Sequence, residues 1–308
     1  MRIVFFGTPT FAAHALQALI HNKCNIVAVV TAPDKPAGRG MQLQSSEVKK
    51  CAEANQIPVL QPAKLKDPEF IAELAAYKAD LQIVIAFRML PEIVWQMPSL
   101  GTMNLHASLL PNYRGAAPIN WAIINGETQT GVCTFFLQHE IDTGDILLSK
   151  THPIGPETNA GELHDQLMEL GAQTVIESVQ MIAAGQTKGI PQGAGSHQLA
   201  PKLFKTDCLL DFTQDVKQVY NRIRGLSPYP AAYFVLDGNP VKVFTATYKI
   251  SDTASIQPGT LMSDGKTYVH IACKNGLIQL LEIQPASKKR MAIAAFLRGY
   301  DLPAQVDA

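Results

Sequence analysis

The feature that most constrains the fold is the alternation of short apolar runs with amphipathic helical patterns in the first half of the chain. The runs are almost continuously apolar, which is typical of strands covered on both faces of a sheet. Helices between such strands are the usual connections of a parallel sheet. Ser46 is expected to cap the second helix. We therefore predict a Rossmann-like, doubly wound, mostly parallel α/β sheet, with strands at residues 2–6, 25–31, 81–87, 102–106, 130–138 and 144–152 and helices at residues 11–21, 46–55 and 159–184.

Short strand-like runs separated by turn signals dominate the end of the chain. A stretch rich in Gly, Gln and Pro, residues 185–201, is typical of a linker. After it we expect a helix at residues 215–226 and strands at residues 231–236, 241–250, 267–273 and 277–284, divided by Asp237-Gly238, Asp264-Gly265 and Asn275-Gly276. We predict a catalytic domain over residues 1–189, a linker over 190–205, and an open β-barrel of the oligonucleotide-binding (OB) type over 206–308.

Composition excludes several classes of protein. The net charge is zero, which argues against a strongly basic nucleic-acid binder, although residues 205–308 carry 12 Lys+Arg against 9 Asp+Glu and form a modestly basic C-terminal third. The apolar runs are too short for a membrane helix, and the N-terminus does not resemble a signal peptide, so we expect a cytoplasmic protein. The five cysteines form no Cys-x-x-Cys pair, which predicts reduced thiols and no metal site.

Three polar side chains suit acyl transfer to an amine. Asn104 and His106 are two residues apart on a predicted strand, so their side chains share one face near the carboxyl end, where ligands bind in such sheets. Asp142 lies in a loop between two later strands. An amide to hold an oxyanion, an imidazole and a carboxylate to orient it are the groups that this chemistry needs.

Each of these residues also has a purely structural interpretation. A single histidine on an apolar strand is more often a core residue, and Asp142, close to Gly144, is also typical of a turn. Gly7-Thr8-Pro9 resembles half of a dinucleotide fingerprint, but the other glycines are missing, so a tight strand-to-helix turn is the better interpretation.

Two basic segments are candidates for contact with a polyanion. A long Gly- and Pro-rich loop follows the second strand and carries Lys35 and Arg39. In the C-terminal half, Ser287 is followed by Lys288, Lys289 and Arg290. Both segments could be solvated surface, but the length of the first loop and its place at the end of a strand favour binding of phosphates or bases.

Taken in order, these motifs resemble the methionyl-tRNA formyltransferase family, one of the folate-dependent formyltransferases. The likeness covers essentially the whole chain. It rests on Gly7-Thr8-Pro9, Asp34-x-Pro-Ala-Gly-Arg39-Gly40, Asn104-x-His106-x-Ser108-Leu-Leu-Pro111, Arg114-Gly-Ala-Ala-Pro-Ile119, Asp142-Thr-Gly-Asp145 and Gln284-Pro-Ala. The Asn, His and Asp set marks the folate-dependent class, whereas the Arg39 loop and the C-terminal domain narrow it to enzymes that act on tRNA.

The resemblance implies a donor, 10-formyltetrahydrofolate, and an acceptor, the α-amino group of methionine on initiator tRNA, with no metal. It implies that Asn104, His106 and Asp142 are catalytic. It implies that the folate is bound by Ser108, Leu109, Leu110, Pro111, Phe87, Arg88, Met89, Leu90 and Ile141. It implies that the tRNA is bound by Lys35, Arg39, Lys288, Lys289 and Arg290. Nothing in the sequence demands more than a monomer.

In this interpretation Asn104 and a protonated His106 stabilise the negative charge that develops on the formyl oxygen, and Asp142 orients the imidazole.

Three other functions compete with transfer to initiator tRNA: a formyltransferase acting on a sugar nucleotide or on glycinamide ribonucleotide, a hydrolase in which water replaces the amine, and a non-catalytic tRNA-binding protein. The loop of Arg39 and the second domain argue against the first two, and the intact Asn, His and Asp set argues against the third.

Overall fold

The computed structural model describes residues 1–37, 42–193 and 197–307. The chain divides into two compact units. The first comprises Met1–Gly115, Thr130–His152 and His164–Leu199, and the second comprises Ala116–Gln129, Pro153–Leu163 and Ala200–Ala308. Two segments from within the predicted catalytic domain, residues 116–129 and 153–163, therefore belong to the second unit. The domain boundaries at residues 189 and 206 stay a prediction about which parts fold independently.

The helices and strands of the described chain have the following bounds. The helices are α1 (Thr10–His21), α2 (Glu47–Ala54), α3 (Pro68–Ala76), α4 (Glu92–Trp95), α5 (Pro118–Ile124), α6 (Ala160–Ala183), α7 (Val216–Leu226) and α8 (Ile293–Leu297), with a 3₁₀ helix at Lys205–Cys208. The strands are β1 (Arg2–Gly7), β2 (Asn25–Val30), β3 (Lys35–Ala37), β4 (Gln42–Gln44), β5 (Val59–Leu60), β6 (Leu81–Ile85), β7 (Thr102–His106), β8 (Arg114–Gly115), β9 (Gln129–Phe136), β10 (Ile146–Pro153), β11 (Leu199–Ala200), β12 (Ala232–Leu236), β13 (Asn239–Ile250), β14 (Leu261–Ser263), β15 (Val269–Cys273), β16 (Gly276–Pro285) and β17 (Met291–Ala292).

The first unit is built on a seven-stranded sheet in the order β10-β9-β7-β6-β1-β2-β5. The ladders β1·β2, β1·β6, β2·β5 and β6·β7 are parallel, and β9 runs antiparallel to β7. All five residues of β6 are buried, as the continuous apolar pattern predicts for a central strand. The mostly parallel, doubly wound sheet expected from the sequence is confirmed.

Local sequence signals set the helix ends in this unit. The Ser46 hydroxyl accepts a hydrogen bond from the backbone N of Lys49 at 3.0 Å, so the predicted cap of α2 is confirmed. Helix α3 was not predicted, although Asp67 caps it and Pro68 stands at its first position, a combination that favours a helix start.

Among the described residues, no helix is both long enough and apolar enough to cross a membrane.

The second unit contains an antiparallel sheet in the order β12-β13-β16-β15-β14, with β17 paired to β16. The predicted Asp237-Gly238 turn joins β12 to β13, and both of its residues have positive φ, 48° and 74°, which a tight hairpin turn requires. Helix α7 packs on this sheet with Val219 and Ile223 in the shared core, and Asp215 caps it. The predicted C-terminal β domain is confirmed as an antiparallel sheet, and its form as an open barrel of the OB type stays a prediction.

Candidate active site

The sheet of the first unit presents Asn104 and His106 at the carboxyl end of β7. Asn104 is partly exposed, and among the residues that the structure describes its side-chain amide has no hydrogen-bond partner. His106 is only 7% exposed. Their spacing of two residues on a strand places both side chains on one face, as predicted. One amide is therefore free to bind a substrate atom next to an imidazole that is held by the protein.

The His106 ring is oriented by a backbone carbonyl. Its Nε2 lies 2.8 Å from the carbonyl oxygen of Tyr113. Because a carbonyl oxygen only accepts hydrogen bonds, Nε2 carries a proton in this arrangement. The other ring nitrogen, Nδ1, is therefore the one that faces Asp142 and is available for proton transfer.

Asp142 lies beside the imidazole without a direct hydrogen bond to it. His106 Nδ1 and Asp142 Oδ2 are 3.8 Å apart, and both side chains are nearly buried, 8% and 12% exposed. This distance exceeds a hydrogen bond, so the two groups interact electrostatically. Asp142 Oδ2 instead accepts a hydrogen bond from the backbone N of Gly115 at 3.0 Å. The expectation that Asp142 fixes the ring therefore differs from the structure, in which Tyr113 does so.

Gln192 holds the loop of Asp142, and no motif in the sequence pointed to it. Its Nε2 donates to the carbonyl oxygens of Asp142 and Gly144, both at 2.8 Å. Its Oε1 accepts from Arg114 Nε at 3.1 Å and from Arg114 Nη2 at 2.6 Å. Gln192 lies in the stretch predicted to be a linker, and the composition of that stretch gave no sign of these contacts. Only its neighbour Pro191, which stiffens the chain, is a local signal of order.

The Ser108-Leu109-Leu110-Pro111 turn is anchored from within. The Ser108 side chain is fully buried and its Oγ donates to the carbonyl oxygen of Asn112 at 2.7 Å. Leu110 packs with Cys133 and Phe135 in a small core, which Leu109 joins from the side. These side chains stabilise the turn, so a ligand would meet its backbone and its outer surface.

The remaining residues predicted to bind folate differ in exposure. Leu90 is buried in the core of the sheet, whereas Met89 and Ile141 are 72% and 60% exposed. Phe87 is half-buried and meets Phe6 edge-on, with ring centroids 5.8 Å apart. After β6 the backbone turns sharply at Ala86, where φ is +47°. Met89 and Ile141 thus present apolar surface to solvent, and the backbone directly after β6 is irregular.

Arg88 is already engaged by the protein. Its Nη1 donates to the carbonyl oxygen of Ala63 at 2.9 Å, its Nη2 donates to that of Pro62, and its guanidinium lies over the Phe87 ring. This side chain therefore stabilises the segment after β6, and its donors point to backbone carbonyls.

The base of the loop that carries the first basic segment is well anchored. Lys35 is exposed and pairs with Gln44 in the β3·β4 ladder, whereas Arg39 lies outside the described residues. The hydrogen bond that Lys49 donates to Asp34 at 2.6 Å lowers the pKa of Asp34 and raises that of Lys49. Gln61 also donates to Asp34, at 2.8 Å. The Asp34 carboxylate is thus used to hold the start of this loop.

The second basic segment is exposed but not uniform. Lys288 and Lys289 have no ion pair within the described chain. Arg290 donates to Glu282 Oε2 at 2.5 Å and lies 4.3 Å from the centroid of the Phe244 ring. Within the described residues, the charges of Lys288 and Lys289 therefore have no opposite charge paired with them, whereas Glu282 compensates the charge of Arg290.

A cleft of about 550 Å³ lies in the second unit next to this segment. Its lining combines aromatic rings with lysines; among the lining residues are Phe204, Lys205, Tyr229, Tyr233, Lys242 and Gln284. Phe204 and Tyr229 are 60% and 81% exposed. Exposed rings beside cationic side chains are typical of surfaces that bind unpaired nucleotides.

The described residues contain no cluster of three His, Cys, Asp or Glu side chains arranged to hold a metal ion. The five cysteines are free thiols, and burial raises the pKa of Cys273 to about 12.

Comparison with protein families gives two matches that together cover most of the chain. The formyl transferase model matches residues 1–179, and the model of the formyl transferase C-terminal domain matches residues 202–301. These two ranges correspond to the part that carries Asn104, His106 and Asp142 and to the part that carries the antiparallel sheet.

Curated relatives agree with this match. The chain is 52% identical over 312 residues to a methionyl-tRNA formyltransferase of Bacteroides fragilis, covering 98% of this chain and 96% of the relative. It is also 52% identical over 304 residues to one of Flavobacterium johnsoniae, covering 97% and 96%.

Among solved structures, a sugar 3N-formyl transferase, WlaRD, has a TM-score of 0.67 at 18% identity, covering 94% of this chain and 99% of that one. HypX from Aquifex aeolicus, solved with tetrahydrofolic acid, has a TM-score of 0.64 at 22% identity; the match covers 96% of this chain but only 47% of HypX. At such identities the likeness shows the fold alone. From the family models and the curated relatives it follows that this chain belongs to the formyl transferase family, in the group of the methionyl-tRNA formyltransferases.

Proposed function

We propose that this protein transfers a formyl group from 10-formyltetrahydrofolate to the α-amino group of methionine on initiator tRNA, for the start of translation. The observation that carries the chemistry is the unpartnered Asn104 amide, among the described residues, beside the His106 and Asp142 pair. The acceptor is supported by the curated relatives, whose names specify methionyl-tRNA and which match nearly the whole chain.

The folate supplies an activated formyl group on a nitrogen that can leave. Met89, Ile141 and Phe87 provide the apolar surface for its ring system, and the backbone of residues 86–90 provides hydrogen-bonding groups for the pterin edge. The turn of Ser108 to Pro111 offers the folate its backbone and outer surface, since Ser108 and Leu110 are buried. Ser108, Leu110 and Leu90 contribute by fixing the backbone, since their side chains are buried.

Asn104 holds the formyl oxygen. Its amide N–H has no partner in the described protein, so it donates without first breaking an internal bond. A donor that is fixed before the reaction stabilises developing negative charge without reorganisation, and removing such a donor typically costs about 10²–10³ in rate. The rigid strand β7 places this donor reproducibly.

His106 and Asp142 handle the proton of the attacking amine. Their 3.8 Å separation is too long for a direct bond, but one nitrogen or oxygen atom about 2.8 Å from each fits at the apex between them. The amine forms a bond to the formyl carbon and the bond from that carbon to N10 of the folate breaks. The proton that the amine loses passes by way of Asp142 Oδ2 and His106 Nδ1, the groups nearest to that position, to the departing N10. Because Tyr113 holds Nε2, the relay uses only Nδ1.

The tRNA is bound by basic and aromatic side chains. Lys35 and Arg39 belong to the loop after β2, and Lys288 and Lys289 are exposed beside the cleft of the second unit. Phe204 and Tyr229 offer rings on which bases stack. Arg290 contributes less, because Glu282 already compensates its charge.

A formyl-transfer assay with purified protein, 10-formyltetrahydrofolate and methionine-charged tRNA tests this function. We expect transfer to initiator tRNA to exceed transfer to elongator tRNA by at least about tenfold in kcat/KM. In the same assay, dTDP-linked amino sugars and glycinamide ribonucleotide compete as acceptors. Faster transfer to either of these would overturn the proposed acceptor and establish a formyltransferase of small molecules.

Two further outcomes would point to a hydrolase or to a non-catalytic protein. Release of formate from the folate without acceptor would indicate a hydrolase. Binding of tRNA without consumption of the folate would indicate a non-catalytic tRNA-binding protein. We also propose that the protein acts in the cytoplasm, as a monomer that needs no metal. Light scattering of the purified protein tests the oligomeric state, and a formyl-transfer assay in the presence of a chelator tests the need for a metal.

A further inference from the structure

Two residues that follow α6, Gln192 and Gln198, make hydrogen bonds to the backbone near both members of the catalytic pair. On one side, Gln192 holds the carbonyl oxygens of Asp142 and Gly144, each at 2.8 Å. On the other, the carbonyl oxygen of Gln198 accepts a hydrogen bond from the backbone N of Tyr113 at 2.6 Å. Tyr113 in turn orients His106. All these residues belong to the first unit, and Gln192 and Gln198 therefore support the backbone on which both catalytic side chains depend.

The backbone at Asp142 needs such support. Its φ is +55°, a conformation that few residues other than glycine adopt at low cost. Gly144 is pressed against β9 so closely that a Cβ there would lie 1.7 Å from the carbonyl oxygen of Phe136. The two carbonyl groups that Gln192 holds are those at either end of this turn. Their position determines where the Asp142 carboxylate points.

Gln192 is suited to this task because a neutral amide supplies two N–H groups and one carbonyl oxygen. The two N–H groups serve Asp142 and Gly144, and the oxygen accepts two bonds from Arg114. A carboxylate of the same shape keeps the Arg114 contact but cannot donate to the carbonyls. The arrangement therefore distinguishes glutamine from glutamate.

We propose that Gln192 is a positioning residue for formyl transfer, which sets the separation between Asp142 and His106 by fixing the turn of residues 142–144. It does not touch the reacting atoms and acts through Asp142. The inference rests on the proposed function for its kinetic consequences but not for its structural ones. A shift of about 1 Å at a catalytic group is sufficient to cost about 10² in rate.

The test compares Gln192→Glu with the matched control Gln186→Glu, which makes the same change at an exposed position of the same segment. With charged initiator tRNA and 10-formyltetrahydrofolate, we expect Gln192→Glu to lower kcat about 10²-fold and to change each KM less than about threefold. Gln192→Met, an apolar residue of similar length, should behave alike. A kcat within about twofold of the parent for both folded variants would overturn the proposal.

A double-mutant cycle separates positioning from general destabilisation. If Gln192 acts through Asp142, Gln192→Glu causes no further loss of single-turnover rate once Asp142 is alanine. Additive losses would contradict the proposal. Should Gln192→Glu fail to fold, Gln192→Met takes its place in the cycle.

Hydrogen exchange provides a readout that does not depend on activity. We expect the amides of residues 141–146 to exchange roughly tenfold faster in Gln192→Glu than in the parent, with the amides of β1 and β6 unchanged. Unchanged exchange at residues 141–146 would overturn the inference even if the parent proved inactive. Product formation by the parent tests the proposed function separately.

Discussion

The two units carry their polar residues in contrasting ways. In the first unit, His106 is 7% exposed and bound to a backbone carbonyl, and the carboxylate of Asp142 accepts a backbone N–H. In the second unit, Phe204 and Tyr229 are 60% and 81% exposed, and the nearby lysines are exposed as well. Buried groups with fixed partners suit chemistry, which needs a defined geometry. Exposed charges and rings suit the binding of a large polyanion, which tolerates small displacements.

This contrast predicts that changes in the first site lower kcat, whereas changes on the second surface raise KM for tRNA. The largest effect is expected for alanine at Asn104, His106 or Asp142. Each should lower kcat by about 10²–10³ or more, because each removes a group that acts on developing charge or on the proton. Single-turnover kinetics, with folate affinity measured separately, checks this. Gln138→Ala, at an exposed amide, is the control; a His106→Ala variant with near-normal chemistry would contradict the assignment.

A smaller effect, on stability, is expected for Ser108→Ala. The hydroxyl is fully buried and donates to the carbonyl oxygen of Asn112. Its removal deletes a hydrogen bond whose donor is buried but whose acceptor belongs to the exposed Asn112, which should lower the free energy of unfolding by about 0.5–1.5 kcal/mol. Urea denaturation of parent and variant measures this. A loss of folate affinity without a loss of stability would show instead that the Ser108 hydroxyl contacts the folate directly.

On the second surface, the double variant Lys205→Ala, Lys242→Ala should raise KM for charged tRNA roughly threefold to tenfold and leave kcat and the KM for folate unchanged. Both lysines line the cleft. If each meets one phosphate, the slope of log affinity against log salt should fall by about 1.4–1.8 in total. Binding measured from low to high salt checks this. An unchanged slope would mean that the cleft does not face the tRNA.

The smallest effect is expected within the Lys288, Lys289 and Arg290 segment. Lys289→Ala should weaken tRNA binding about twofold, whereas Arg290→Ala should leave it nearly unchanged, because Glu282 and the Phe244 ring already engage that guanidinium. Arg290→Ala should instead cost at most about 1 kcal/mol of stability, as for other exposed ion pairs. Filter binding and thermal unfolding distinguish these outcomes. A larger effect of Arg290 on tRNA binding would show that its pairing is broken in the complex.

Much of the fold was predictable because it depends on local patterns. The continuous apolar run of β6, the Ser46 cap and the Asp237-Gly238 turn each depend on a few neighbouring residues, and each is found in the structure. Helix α3 was missed although the sequence carries its Asp67 cap and its Pro68 start; in the folded chain its Phe70 and Leu74 are buried.

The sequence alone determined that Asn104 and His106 share one face at the end of a strand, because side chains two residues apart on a strand point the same way. Only the tertiary structure decided how far Asp142 lies from the imidazole, that Tyr113 holds the ring, and that Gln192, fifty residues beyond Asp142, supports its turn. Such contacts join segments distant in the chain. They arise because buried polar groups must find hydrogen-bond partners in the folded chain, and no local sequence pattern indicates which partners these are.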